Sequence, residues 1–565
     1  MEQRATRHST MRNMGLAVAL ALLLTAVWAA RDWAALSALQ LPDTDDMMRL
    51  QQIRDWVGGQ AFYDLAQHRL GLAGLEMHWS RLPDLVPAAI VALLAPLLGG
   101  HIAELAAVLL WPALLFVAAL ALIGSIARVL DVSAQVAIVV AALAYPASAL
   151  FVPGRIDHHG LQLVLLLVLV RAVLGEGGWR AGVAAGLASA ASLAVGLETA
   201  PLLAIGGGVI VWRWIMGEDD RMAGYATALF GGLLLAALTL RTSGWDYPAC
   251  DGFDAMLWRA AQIAAAAPVL LAAAGRWIAP GRGRLLAALV IGGVAMAAAL
   301  AASPGCLSPY GEVDPLLARL WLSQVAEAQP LFGASLVHAI GYAGLLFAGL
   351  AATALMWRRE RREAWLILGA FQIVSLALML LQLRGAYAGA MLAAPALAGL
   401  IAVARARGPL PLAAAWIVSA GFVYPMLGGL MTPSTAGKGA GCDPAPALAR
   451  LAALPAGRVA ASVDFGAYAL AGTGQQMLAA PYHRNANGIL SAYRLFVLPD
   501  DRAAAYAARL DIAHVVYCPG GLPELGEPKR GTGRAILDFG RTPGWLTRLS
   551  PADEAMAVYA VRRAP

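Results

Sequence analysis

The sequence predicts a polytopic α-helical membrane protein of about thirteen transmembrane helices, followed by a small exported α/β domain. Of the 565 residues, 60% are hydrophobic and only 13% are charged, and a soluble protein carries about twice that charged share. Apolar windows of about 17–22 residues, long enough to cross a bilayer, recur up to about residue 430. Beyond that point short apolar runs such as GRVAASVD and IAHVVYC alternate with Pro/Gly turns, which indicates a small α/β domain in water.

The first apolar segment, MGLAVALALLLTAVWAA, follows the basic residues Arg4, Arg7 and Arg12. This pattern fits a cleavable signal peptide or an uncleaved first span, and we interpret it as a span because the rest of the chain is integral. The predicted spans are 13–30, 103–124, 133–152, 159–175, 180–197, 199–215, 223–240, 260–278, 284–302, 335–356, 364–382, 385–404 and 410–430.

A further apolar stretch, 85–100, is short for a span and contains two prolines. If it does not cross, every basic loop lies on the cytoplasmic side with the basic N-terminus, as the positive-inside rule requires. We therefore interpret 85–100 as a re-entrant or surface-lying helix on the outer face. These loops also account for the net charge of +6, and we infer no nucleic-acid partner. Their basic residues are Arg128, Arg171, Arg180, Arg213, Arg221, Arg276, Arg282, Arg284, Arg358, Arg359, Arg361, Arg362, Arg405 and Arg407.

This topology predicts a membrane domain over 1–430, with a first outer loop at 31–102 and a long outer loop at 303–334, and a soluble domain over 431–565. We expect a multi-pass protein of the bacterial inner membrane whose soluble domain faces the periplasm. All four cysteines then lie outside, where disulfides form. We expect the pairs Cys250–Cys306, between two outer loops, and Cys442–Cys518, within the exported domain. Four free thiols are the alternative.

Polar residues in three predicted outer segments form a candidate metal site. The first loop contains LPDTDDMMRLQQIRD, the short turn before the span at 159 reads RIDHHG, and the long loop contains SQVAEAQP. Taken alone, Asp43 and its neighbours fit a helix cap, and Asp157 with His159 fits a solvated helix end. Together, Asp45, Asp157, His159 and Glu327 offer the oxygen and imidazole ligands that suit Mn²⁺, Mg²⁺ or zinc.

Arg384 lies at the outer end of a predicted span, in LQLRGAYAGAMLAAPALAGL. An arginine at the membrane needs an anionic partner, and a lipid phosphate or diphosphate is the partner we expect. An ion held nearby would neutralise charge that builds on a phosphate leaving group.

These stretches resemble the catalytic subunit of oligosaccharyltransferase, the single-chain bacterial and archaeal form in the GT-C glycosyltransferase superfamily. DDMMRLQQIRD is similar to the first-loop motif and implies Asp45, and YPASALFVPGRIDHHG is similar to the second-loop metal motif, which implies Asp157 and His159. SQVAEAQP is similar to the mobile-loop motif and implies Glu327 as the acidic residue near metal and acceptor. RGAYAGAMLAAP implies Arg384 at the donor phosphates. The GT-C resemblance also implies thirteen spans and an exported C-terminal domain.

The resemblance has one departure, in the motif that binds the acceptor sequon. The family's W-W-D-Y-G is reduced here to SVDFG, which keeps Asp464 and Gly466. We therefore do not transfer an Asn-X-Ser/Thr acceptor. Further candidate contacts for acceptor or glycan lie in PYHRN and in MHWSRLPD, with turn residues and a membrane-interface anchor as the alternatives. They are His483, Arg484, Asn485, His78, Trp79 and Arg81.

The function predicted from these features is an inverting, metal-dependent glycosyltransferase, active as a monomer. It moves a glycan from a polyprenyl-(di)phosphate donor to a protein, glycan or lipid acceptor on the outer face. Asp45 and Glu327 are the predicted catalytic residues, with Glu327 orienting or deprotonating the acceptor, and Mn²⁺ or Mg²⁺ is the cofactor. One alternative transfers a single sugar from a polyprenyl monophosphate to lipid or polysaccharide. A transporter or flippase for a lipid-linked substrate would instead place charges deep in several spans. A non-catalytic scaffold would leave Asp157→Ala silent.

Overall fold

The structure, a computed structural model, describes residues 2–247, 250–306, 313–431 and 442–562. The described helices are α1 (Glu2–Arg31), α2 (Trp33–Ser37), α3 (Thr44–Val57), α4 (Leu85–Leu98), α5 (Gly100–Val129), α6 (Ala134–Ala142), α7 (His159–Leu174), α8 (Trp179–Val195), α9 (Ala200–Ile215), α10 (Asp219–Thr239), α11 (Ala255–Ala274), α12 (Arg282–Ala302), α13 (Pro315–Leu320), α14 (Leu336–Glu360), α15 (Glu363–Leu381), α16 (Ala386–Arg405), α17 (Pro409–Ser419), α18 (Val423–Met431), α19 (Ala445–Ala453), α20 (Val463–Gly472), α21 (Ala486–Val497), α22 (Asp500–Arg509) and α23 (Gly533–Asp538).

The described strands are β1 (Ala66–Gln67), β2 (Leu75–Glu76), β3 (Arg458–Ala460), β4 (Gln476–Met477), β5 (Ile512–Tyr517), β6 (Leu546–Arg548) and β7 (Ala557–Val561). Strands β1 and β2 form an antiparallel pair, and the other five form one sheet in the order β4-β3-β5-β7-β6. In that sheet β3 runs parallel to β4 and β5, whereas β7 is antiparallel to β5 and β6. The predicted small α/β domain is therefore confirmed.

Within the described residues, eight helices are long and apolar enough to cross a membrane, and the bent pair α17 and α18, at 80°, makes up to nine. Helices α7, α8 and α9 are apolar but shorter, with 16, 17 and 16 residues. Helical structure occupies all thirteen predicted spans, but the span at 133–152 is broken. It consists of α6 and a separate 3₁₀ turn at Ala147–Phe151. The chain is a multi-pass membrane protein.

The stretch predicted not to cross forms α4, which has 14 residues. At about 1.5 Å per residue this helix is about 21 Å long, shorter than the hydrocarbon core of about 30 Å. It packs against α5, and its exposed side chains include Leu93 and Leu97. The stretch is therefore a short apolar helix with exposed leucines, and its predicted placement on the outer face without crossing stays a prediction.

Small residues allow the membrane helices to approach closely, as is usual where lipid rather than water surrounds a bundle. Helices α8 and α10 are paired in this way. A Cβ on Gly182 would collide with the carbonyl oxygen of Arg221, and one on Gly186 would lie 2.6 Å from that of Tyr225. Glycine at these two positions therefore sets the separation of the two helices.

The chain forms two compact units. The first contains the described residues of 1–36, 78–311 and 326–433, and the second contains those of 37–77, 312–325 and 434–565. Relative to the predicted boundary near 430, the second unit adds parts of both the first and the long outer loop to the soluble domain. Leu317 of α13, for example, is fully buried in the same core as Leu478, Val515 and Leu546.

Two disulfides are present, and they are the predicted pairs. Cys250–Cys306 lies in the first unit and joins residues 56 apart in sequence. Cys442–Cys518 lies in the second unit, with a separation of 76. The alternative of free thiols is excluded for all four cysteines.

Candidate functional site

The turn before α7 places the Asp157 carboxylate at the N-terminus of the helix. Gly154 has φ +91°, a conformation that favours glycine, and its N–H donates to the carbonyl of Val108 at 2.9 Å. Three residues later, Asp157 Oδ1 accepts the backbone N–H of His159 at 3.1 Å. Asp157 therefore satisfies a first-turn donor of α7, as caps commonly do.

The second oxygen of Asp157 has two partners. Arg155 donates to Oδ2 at 2.6 Å, and His159 Nδ1 lies 3.1 Å from the same oxygen. This contact orients the imidazole as a carboxylate orients a metal-binding histidine. The opposite nitrogen, His159 Nε2, is buried and has no hydrogen-bond partner in the described part of the chain. Although burial lowers the pKa of His159, Asp157 raises it to about 9, so a cation that binds at Nε2 would have to displace a proton from that nitrogen.

Glu198, between α8 and α9, is the second carboxylate of this cluster. Its Oε1 lies 3.1 Å from His158 Nε2, and its Oε2 accepts from Gln162 at 2.9 Å. Gly196 makes room for these groups, because a Cβ there would lie 2.6 Å from Glu198 Oε2. The ligand atoms of His158, His159 and Glu198 all lie within 4.8 Å of one another, so these three side chains could hold a divalent ion.

Arg384 and Glu327 reach the same region through a hydrogen-bonded loop. The carbonyl of Gln329 accepts from Leu383 N at 2.9 Å, which ties the Glu327 segment to the 3₁₀ turn Leu383–Gly385. From this turn Arg384 Nη1 lies 4.0 Å from Glu198 Oε1. Tyr387 donates its hydroxyl to Glu327 Oε2 at 3.1 Å.

A cavity of about 330 Å³ opens at this cluster. The polar residues that line it include His159, Glu198, Arg384 and Tyr387. Its apolar walls come from Leu150, Leu163, Leu166, Leu197, Leu202, Leu378 and Leu381. The cavity therefore combines charged groups with a hydrocarbon-like wall, which suits an amphipathic ligand.

The loop carboxylates in this cluster are held in the charged form. Burial alone would raise the pKa of Asp157, but the charges of Arg155 and His159 outweigh it and hold that pKa well below its usual value. Burial likewise opposes ionisation of Glu198, yet His158 and Arg384 keep the pKa of Glu198 well below its usual value. Both groups are therefore anionic at neutral pH.

Asp45 belongs to the second unit and lies in the first turn of α3. Asp43 is the N-cap residue of this helix, and its Oδ1 accepts the backbone N–H of Asp45 at 3.1 Å. In the same unit, burial and the carboxylates of Asp45 and Asp43 raise the pKa of Tyr482. Asp45 is half-buried, and its role as catalytic residue and ligand stays a prediction from the sequence.

The candidates of MHWSRLPD are mostly buried in the first unit. Trp79 and Arg81 are 5% and 1% exposed, and Arg81 forms an ion pair with Asp84 at 3.4 Å. His78 Nε2 lies 3.3 Å from Asp251 Oδ2. These contacts fit the alternative of a structural anchor, and contact with a glycan or acceptor stays a prediction.

The remaining candidates lie in the second unit. Desolvation and the carboxylates of Glu524 and Asp43 raise the pKa of Asp464. Asn485 is buried and donates to the carbonyl of Leu478 at 3.3 Å. His483 and Arg484 are half-buried in a 3₁₀ turn. Their part in acceptor binding also stays a prediction.

The structure adds residues to the candidate site that the sequence did not single out. They are Arg155, His158, Gln162, Glu198 and Tyr387. In the sequence, Glu198 is one of several acids in predicted outer loops. One feature of the sequence distinguishes it. Glu198 is the single residue between the predicted spans 180–197 and 199–215, so it has to lie at a helix end.

Comparison of the whole chain with known proteins gives matches by structure and none by sequence. No family model matches the chain, and no curated protein matches its sequence. Archaeal oligosaccharyltransferase AglB from Archaeoglobus fulgidus, solved in complex with an inhibitory peptide and a dolichol-phosphate, superposes with a TM-score of 0.67 at 14% identity. The match covers 91% of this chain and 70% of AglB. The chain has the oligosaccharyltransferase fold.

Two crystal structures of the Archaeoglobus fulgidus oligosaccharyltransferase are also similar to this chain. The complex with Zn and sulfate gives a TM-score of 0.61 at 15% identity, covering 98% of this chain and 73% of that one. The form tethered to an acceptor peptide containing the NVT sequon gives 0.60 at 14% identity, with coverage of 97% and 74%. The oligosaccharyltransferase fold therefore spans nearly all of the chain, membrane helices and sheet domain included.

Proposed function

We propose that this protein is a membrane glycosyltransferase that moves a sugar or glycan from a polyprenyl-phosphate or -diphosphate donor to an acceptor. One observation carries the proposal. In an oligosaccharyltransferase fold, an imidazole nitrogen of His159 without a hydrogen-bond partner and the charges of Glu198 and Arg384 line the same cavity as seven leucines. A lipid-linked phosphate combines the two chemistries that this cavity offers.

The donor set fits a divalent ion. Two imidazoles and one carboxylate supply ligand atoms within 4.8 Å of one another, and such nitrogen and oxygen ligands suit Mn²⁺ and also zinc. Both oxygens of Asp157 are engaged by Arg155 and His159. Asp157 would therefore orient His159 in this arrangement, and its direct coordination would require Arg155 to move.

The groups of the first unit have distinct tasks in the proposed reaction. A bound divalent ion would offset the negative charge that develops on the leaving phosphate. Arg384 binds the donor phosphate. Glu327, held by Tyr387, accepts the proton from the acceptor as the acceptor attacks the anomeric carbon and the carbon–oxygen bond to phosphate breaks. A single displacement of this kind inverts the configuration at that carbon.

The proposed setting follows the charge-based topology. The site and the soluble domain face the periplasm of a bacterial inner membrane, and the chain acts as a monomer. The acceptor reaches the site from water and is a protein, a glycan or a lipid. AglB was solved with an inhibitory peptide and a dolichol-phosphate, and the Archaeoglobus fulgidus oligosaccharyltransferase was solved with a tethered acceptor peptide. These complexes support a lipid-linked donor and include peptides among the acceptor classes to test.

The test is a deletion strain complemented with variants of the full chain. Loss of the gene should remove a specific exported glycoprotein or glycolipid, detected by mass spectrometry. The wild-type chain should restore it, whereas Asp157→Ala and His159→Ala should not, at equal protein level. Asp220→Ala, a matched change at an exposed position, should restore it. Full complementation by both site variants would reject the proposed site.

A further inference from the structure

An exposed phenylalanine lies in the segment that contains Glu327, a few residues further along the chain. The side chain of Phe332 is 89% exposed. The preceding residue, Leu331, is only 8% exposed and packs in a core with Met379 and Leu383. Leu331 is therefore a core residue, and the ring of Phe332 faces away from that core.

Backbone hydrogen bonds hold this segment against the end of a membrane helix. Leu331 N donates to the carbonyl of Met379 at 3.2 Å, and Leu383 N donates to that of Gln329 at 2.9 Å. Helix α15 has 19 residues, and at about 1.5 Å per residue it is about 28 Å long. This length nearly equals the hydrocarbon core of about 30 Å. The last turn of α15, and Phe332 beside it, therefore lie close to the membrane boundary.

The adjoining ends of two membrane helices also expose apolar side chains. Leu380 and Leu381, in the last turn of α15, are 42% and 67% exposed, and Leu336, in the first turn of α14, is 50% exposed. Both helices are long and apolar enough to cross a membrane. The stretch 330–336, which contains Phe332, has no charged residue. An apolar surface therefore extends from the membrane helices to this segment.

Polar groups mark the water side of the same region. Ser335 Oγ lies 2.8 Å from His338 Nδ1, and both residues are exposed. Phe332 is thus at the level where hydrocarbon meets water, and an apolar side chain at this level can enter lipid without taking a charge with it. Lipid is always present beside the ends of membrane helices, so burial of Phe332 there requires no further protein.

We propose that Phe332 inserts into the acyl-chain region of the bilayer and thereby anchors the segment that contains Glu327. The stretch between the two residues is short, and Gln329 N donates to the carbonyl of Ala326 at 3.3 Å within it. A restraint on Phe332 therefore also restrains Glu327. This inference goes beyond the proposed function, since it makes the bilayer a binding partner of this segment whatever sugar or acceptor is used.

The first experiment measures where Phe332 lies relative to lipid. All four native cysteines are in disulfides, so a nitroxide spin label reacts selectively with Phe332→Cys. The labelled full-length protein is reconstituted into phospholipid nanodiscs and studied by power-saturation EPR. Oxygen, which dissolves in hydrocarbon, should relax this label more than a nickel chelate, which stays in water. Equal or greater relaxation by the nickel chelate overturns the inference and indicates that the segment faces water or a protein.

Two labelled positions calibrate the measurement. Leu289→Cys, on α12, replaces a leucine that is 65% exposed in a helix able to cross the membrane, and oxygen should dominate there. Asp501→Cys, at an exposed position of the charged helix α22, should be relaxed mainly by the nickel chelate. Because the Phe332 ring is itself exposed, its replacement should not unfold the protein.

The second experiment tests whether insertion restrains the segment. A spin label on Ala326→Cys, an exposed position next to Glu327, reports local mobility in nanodiscs. Adding Phe332→Asp should narrow the EPR spectrum of this label, because a charged side chain leaves the hydrocarbon. Adding Phe332→Leu, which keeps an apolar side chain, should leave the spectrum unchanged. A spectrum that is not narrowed by Phe332→Asp would show that Phe332 does not anchor the Glu327 segment.

Discussion

Asp157→Asn removes one negative charge from the candidate site while preserving the shape of the side chain. In the wild type, Oδ2 accepts from Arg155 at 2.6 Å and faces His159 Nδ1 at 3.1 Å. The side chains of Asp157 and Arg155 are 2% and 13% exposed. Removing one partner of a buried ion pair destabilises a protein by about 3–5 kcal/mol. We expect about 3 kcal/mol here, because Arg155 retains some contact with water.

The same substitution should lower the affinity of the site for a divalent ion. An amide oxygen orients His159 less strongly than a carboxylate does, and loss of such an orienting partner lowers metal affinity by about 10–100-fold. The assay is titration of the purified protein with Mn²⁺ by isothermal calorimetry, which is independent of catalysis. Differential scanning fluorimetry without added metal measures the change in stability.

Asp131→Asn is the matched control for this experiment. Asp131 pairs with Arg362 at 2.7 Å, but its side chain is 80% exposed, and exposed pairs contribute about 0–1 kcal/mol. This variant should keep both the wild-type melting temperature and the wild-type Mn²⁺ affinity. An Asp157→Asn protein with the Mn²⁺ affinity and stability of the control would show that the Asp157–His159 contact does not support an ion site.

Three further predictions concern other parts of the chain. Gly385→Ala should lower the affinity for polyprenyl phosphate, because a Cβ there would lie 2.5 Å from a backbone nitrogen of α15, and native mass spectrometry showing wild-type affinity would contradict this. Tyr387→Phe should lower kcat several-fold with little change in donor affinity, because the hydroxyl that holds Glu327 is lost, and a changed KM with constant kcat would argue for a donor-binding role instead. The double variant Cys442→Ser and Cys518→Ser should lower the melting temperature of the protein. Opening a loop of 76 residues removes about 4 kcal/mol of stability in the chain-entropy treatment. An unchanged melting curve would show that the disulfide does not stabilise the fold.

Hydropathy predicted a multi-pass helical protein, and short apolar runs between turns predicted the sheet domain, but only eight or nine of the thirteen predicted spans are long and apolar enough to cross among the described residues. These are local properties, since a helix crosses a bilayer according to its own length and apolarity. The same properties singled out 85–100 as a short apolar helix. The sidedness of the loops placed all four cysteines outside, and the two expected pairs are present. Hydropathy alone did not reveal that 133–152 is interrupted, because it does not weigh Pro146, a helix-breaking residue that lies between α6 and the 3₁₀ turn.

The composition of the candidate site depended on contacts between segments far apart in the sequence. The sequence alone determined that this is a multi-pass protein with acids and histidines at helix ends, and motif order added Asp157, His159, Glu327 and Arg384. Tertiary structure decided that Glu198 lies beside Arg384 and His158, and that the segment containing Leu317 belongs to the soluble core. Hydrophobic patterning fixes which residues are buried, whereas the meeting of side chains depends on how complete helices and loops pack together.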